Sequence, residues 1–122
     1  MCASSASGLG PVDTTHSPYA HLRTLPLDGV SLTEGFWSQR QRANREGGLL
    51  ACHEMLEKYG VFDRIRMAAG LMEPKPVGSM FRGGGGDTTV FKWLESIAYE
   101  LSNAPSDALE EMADQAIALM TA

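Results

Sequence analysis

Four consecutive glycines, Gly83 to Gly86, end abruptly at D-T-T-V-F-K-W-L-E-S-I-A-Y-E-L, Asp87 to Leu101. Glycine cannot hold a helix, whereas Asp87, Thr88 or Thr89 can cap one by accepting a bond from a free backbone N–H. The junction therefore predicts a helix start. Val90, Leu94, Ile97 and Leu101 recur at helical spacing, with Phe91 and Ala98 widening the same face, so this helix needs a core to lie against. Lys92 and Glu95 are spaced to pair on its flank, and Trp93 falls off the main stripe, which calls for a second packing partner or a ligand.

A second helix pattern begins near Thr33, read as its N-cap, and runs to Tyr59 with Gly60 as the stop. Its second half carries Leu49, Cys52, Leu56 and Tyr59 on one face. Ser38 to Glu46 is nearly all polar, and Gly47-Gly48 between the halves predicts a kink or a close helix approach. Val61 to Ala69 suits two further turns. Pro74, Pro76 and Gly78 make residues 71 to 86 a loop.

Beyond the central helix, Asn103-Ala104-Pro105-Ser106 reads as a turn, with Ser106 capping a last helix whose early acids Asp107, Glu110 and Glu111 suit its macrodipole. Leu109, Met112, Ala113, Ala116, Ile117 and Met120 form its apolar face. No breaker follows, so the helix reads as unfinished, and the helical hairpin it makes calls for further helices to cover it. The fold class expected is all-α, preceded by a disordered tail over residues 1 to 24 and a short extended segment or hairpin at Leu25, Leu27, Val30 and Leu32 around Asp28-Gly29.

Composition narrows the function. With 122 residues, 43% hydrophobic and 20% charged, the chain has the make-up of a folded domain. A net charge of −5 without a Lys/Arg cluster argues against a nucleic-acid partner, because phosphate neutralisation needs convergent cations. No apolar run of roughly 20 residues suggests a membrane span, and the N-terminus lacks the basic and apolar regions of a secretory signal, so a cytoplasmic location is expected. Cys2 and Cys52 sit in unlike contexts, which favours a free, buried Cys52 thiol over a disulfide.

Local chemistry is sparse. The glycine run lacks the lysine of a phosphate loop, and His53-Glu54 lacks the second histidine of a zinc-protease helix, since Glu57 stands there. His53 reads as a surface residue. Acids are the one plentiful catalytic type, and a glycosidase needs two of them across about 5 to 10 Å. Asp87 and Glu95 are the best local pair, and Trp93 is the candidate platform for stacking a sugar, although capping, pairing and packing explain all three. These form the candidate substrate-binding set, with no catalytic or metal-ligating residue assigned.

Taken in order, F-W-S-Q-R-Q-R-A-N-R (Phe36 to Arg45), L-E-K-Y-G-V-F-D-R-I-R-M-A-A-G (Leu56 to Gly70), D-T-T-V-F-K-W-L-E (Asp87 to Glu95) and A-P-S-D-A-L-E-E-M-A-D (Ala104 to Asp114) resemble the N-terminal end of glycoside hydrolase family 127, the β-L-arabinofuranosidases and relatives. The likeness covers residues 27 to 122. It implies the first helices of an (α/α)6 barrel, truncated, and an activity against terminal β-L-arabinofuranosyl or related sugars with retention of configuration. It also implies a cysteine nucleophile in a zinc site of one glutamate and three cysteines, with a separate glutamate as acid/base. All of these lie C-terminal to the part resembled here, so neither Cys2 nor Cys52 takes such a role, no cofactor is assigned to residues 1 to 122, and the stretch is expected to be inactive alone. Two departures stand out: Thr89 occupies the place of a usual aspartate, and Gly83 to Gly86 occupy that of a usual aromatic residue. The rival readings are a small helical protein-interaction module and another (α/α)6-barrel carbohydrate enzyme.

Overall fold

A computed structural model describes residues 12–14, 16–77 and 86–122, apart from the side chains of Asp28 and Asp87. Among them there is no strand. The elements in order are a 3₁₀ turn at Leu27–Gly29, α1 at Gly35–Ala43, a π-helical turn at Asn44–Gly48, α2 at Leu49–Lys58, α3 at Val61–Ala68, α4 at Gly86–Asn103 and α5 at Asp107–Thr121. The all-α expectation holds.

The hairpin expected at Leu25 to Leu32 does not form. Gly29 donates its N–H to the Pro26 carbonyl at 3.0 Å and closes a single tight turn, after which Val30 is extended but unpaired. That turn lies near α4, and Leu27, Ala98 and Tyr99 line a small apolar hollow between the two. Much of the tail expected over 1 to 24 lies outside the described residues. Where it is described it folds back on itself, Thr24 Oγ1 donating to the Val12 carbonyl at 2.9 Å and Arg23 to that of Thr14.

α1 begins behind Glu34 without a side-chain cap, because Gly35 takes φ +84° and turns the chain into the helix two residues beyond Thr33. Where a kink or a close helix approach is expected, Gly47-Gly48 lie in the π-helical turn, a widening of the backbone ladder of a kind frequent at functional sites, and no other helix stands within 4 Å of a Cβ built at either glycine. Gly60 ends α2 at φ +66°, and a Cβ built there would stand 3.0 Å from that of Val77, so both conformation and space require glycine. The Gly83 to Gly85 run and Gly78 lie outside the described residues.

The core lies where α2, α3, α4 and α5 meet: Leu49 and Leu56, Val61 and Phe62, Val90, Trp93 and Ile97, Leu109 and Ala116. On α4 the fully buried line is Val90, Trp93, Ile97 and Glu100 rather than the stripe through Leu94 and Leu101, which stays half-buried. Trp93 is thus central, while Phe91 and Ala98, expected inside, are exposed. The two stripes share Val90 and Ile97 and differ by a rotation of less than one residue step. Ser106 caps α5 as expected, accepting from the Leu109 N–H at 3.5 Å, but Ile117 is 47% exposed instead of buried.

Candidate functional site

Trp93 comes first because it combines a large ring with a polar handle. Its Nε1–H donates to the Leu49 carbonyl at 2.9 Å, and its ring lies 5.1 Å from His53 and 6.1 Å from Phe62, edge-on to the latter. His53 is itself 5.3 Å from Phe62, so it joins an aromatic cluster instead of facing solvent freely as its sequence context suggested. Only 3% of Trp93 is exposed, and its indole offers no open face for a sugar. Glu95 is exposed on another side of α4, and the Asp87 side chain lies outside the described residues. The structure therefore does not bring Trp93 and Glu95 together, and Lys92 forms no ion pair with Glu95; the described ion pairs are made by Arg45, Arg66 and Lys75.

Beside the aromatic cluster, Arg66 bridges α2 and α3. Its guanidinium takes Glu57 in a two-pronged grip at 2.6 and 2.9 Å and Asp63 at 2.9 Å, while Lys75 reaches Asp63 at 2.8 Å. The hydrogen bond from Arg66 holds the Glu57 carboxyl below its usual range, and those from Lys75 and then Arg66 do the same for Asp63. Carboxylates held ionised by such donors are poor proton acceptors. This network fastens the α2–α3 corner.

A polar cleft of about 360 Å³ opens where α1 and the π-helical turn face the end of α4, lined among others by Ser38, Gln41, Arg42, Arg45, Glu100 and Asn103. Sequence reasoning passed over its two central residues. Glu100 is 8% exposed, with Asn44 Nδ2 donating to its carboxylate at 3.5 Å and the Arg45 guanidinium forming an ion pair with it at 4.0 Å. Arg45 also donates to the carbonyls of Glu100, Ala104 and Pro105 at 3.2, 2.8 and 2.5 Å. α4 has no basic residue in its last turn, and Arg45 supplies the missing cation from a distant element. The cleft can take up a small polar molecule, but its best-placed carboxylate and guanidinium are already committed to holding helix ends together.

The other large hollow has opposite character. Between α4 and α5 runs an apolar groove of about 480 Å³, with Leu94, Ile97, Ala98, Leu101, Ala113 and Ile117 along it and Glu95, Glu110 and Asp114 on its rim.

Among the described residues no group of three His, Cys, Asp or Glu side chains could hold a metal ion. Burial pushes the Cys52 thiol up, away from the thiolate that zinc requires. The described residues therefore do not fit a zinc site. No described helix is long and apolar enough to cross a membrane. Comparisons with protein families, curated proteins and solved structures find no match.

Proposed function

We propose that residues 25–122 are the N-terminal helices of an (α/α)6-barrel glycosidase resembling the β-L-arabinofuranosidases, acting on terminal β-L-arabinofuranosyl or related sugars. In this reading the stretch is scaffold. The nucleophile, acid/base and zinc ligands come from further helices, and the carbohydrate substrate meets those groups. The four sequence blocks that resemble the family supply the substrate class.

The observation that carries the scaffold role is the open α4–α5 groove. Ile117 and Ala98 remain exposed beside buried Ile97, the pattern of a helix pair whose outer face awaits a neighbour. The described titratable groups agree, since Glu57, Asp63 and Glu100 are tied to arginines that position helices.

One observation favours a second reading, a small helical interaction module: no described buried side-chain nitrogen or oxygen lacks a partner, as in a domain that folds alone. Thermal unfolding separates them. A cooperative transition from a dilute monomer supports the module, and aggregation or loss of fixed packing supports the scaffold.

The direct test has two parts. The isolated chain is assayed with an aryl β-L-arabinofuranoside, with and without zinc; no turnover is expected, and turnover overturns the scaffold role. Reading the genomic frame past codon 122 is expected to reveal further helix pairs and clustered cysteines. A frame that continues without such a cluster points to another barrel enzyme, and a frame that closes there removes the glycosidase reading.

A further inference from the structure

The α4–α5 groove combines two properties: its lining is mostly apolar, and its rim is acidic. Leu94 to Leu101 on α4 and Glu110 to Ile117 on α5 line it together, each spanning seven residue steps, or about 10 Å and two helical turns. Glu95, Glu110 and Asp114 are all exposed, and no Lys or Arg is among the lining residues. Leu27 lines a smaller hollow next to the groove, together with Glu95 and Ala98.

We infer that this groove seats one amphipathic helix of a partner segment, whose apolar stripe enters between α4 and α5 and whose Lys or Arg residues flank that stripe. Two packed helices leave a channel that a third fills by setting its ridge of side chains into the groove. An extended peptide has no sheet edge to join here. Residues at positions i, i+3 or i+4, and i+7 of the partner cover the two turns, with Ala98 giving the room for close approach. Three unpaired carboxylates around an apolar floor favour cations beside the stripe and disfavour acids there, which sets both orientation and choice of partner. The inference concerns this surface alone and stands whether or not the partner belongs to a glycosidase.

The probes are two synthetic helices with the same Leu/Ala stripe, one flanked by Lys and one by Glu, titrated into the 122-residue chain with amide NMR shifts recorded. The Lys-flanked helix is expected to bind about tenfold more tightly at low salt, a preference that shrinks as salt screens the rim. Shifts should gather at Ala98, Leu101, Ala113 and Ile117. The variant E95Q/E110Q/D114N should lose the preference, while E34Q/E54Q/E73Q, with the same charge change elsewhere, should keep it. A98R should abolish binding of both probes. Equal binding of the two helices, binding of neither, shifts away from the groove, or a preference that survives neutralising the rim would overturn the inference. So would a concentration-dependent dimer that A98R dissolves, because the groove would then belong to a second copy.

Discussion

α1 and α2 follow one another through the π-helical turn with the backbone held in helical conformation, yet they differ in almost every other respect. α1 buries no residue and leaves Phe36 and Trp37 at 59% and 67% exposure, whereas α2 drives Leu49 and Leu56 into the core. Both are helices by local sequence. Only one is held by packing, and the other is attached through its continuation into the turn and through Arg45. Helical conformation and burial are thus set by different residues, and Trp37, exposed on α1, set against Trp93, which α4 lays against the Leu49 end of α2, makes the difference measurable.

The largest effect expected is Trp93→Ala, a loss of about 3–5 kcal/mol in urea unfolding, because a filled core site is emptied and the Leu49 carbonyl loses its donor. Trp37→Ala should stay within about 0.5 kcal/mol. Equal losses would break the comparison.

Next comes Arg45→Met, expected to cost about 2–3 kcal/mol through the lost charged hydrogen bonds and the unpaired Glu100, while Arg42→Met in the same cleft costs little. Restoring part of the loss with R45M/E100M would confirm the buried charge as its source.

The paired glycines sharpen the divide further. A Cβ at Gly47 meets nothing within 4 Å, so Gly47→Ala should raise stability by up to about 1 kcal/mol. At Gly48 the same atom would stand 2.8 Å from Asn44 Oδ1 and push that amide off Glu100, so the gain should vanish or reverse. Thermal midpoints of the two variants check the order.

The smallest effect is electrostatic. Glu57 and Asp63 have folded pKa values below their ordinary ones, so their contribution is full above the usual carboxylate range and fades as pH falls through the lowered values. Acid titration of stability should therefore show a limb below about pH 4 that Arg66→Met flattens, with no matching change near neutrality.

Elements with local causes were legible in the sequence: the Gly60 stop, the Ser106 cap, the irregularity at Gly47-Gly48 and the existence of every helix. Features that depend on distant partners were not. Glu100 and Arg45 are 55 positions apart, and nothing near either residue signals the other. The second packing partner that Trp93 calls for is supplied by Leu49, His53 and Phe62, but the buried line of α4 was not legible, because a hydrophobic count prefers Leu94 and Leu101 to a line that ends on a glutamate. That glutamate tolerates burial only because Arg45 and Asn44 reach it. Of the candidate site, Glu95 is exposed on the flank of its helix without the expected Lys92 pair, and the groove it borders needed both helices in place.

The arginine clasp has a bearing on how the chain assembles. The bend between the last two helices is fastened by a guanidinium synthesised some sixty residues earlier, so the hairpin cannot lock from its own stretch of chain. Its final closure must wait for a long loop to find its ends, a slow kind of event for an otherwise locally wired helical protein.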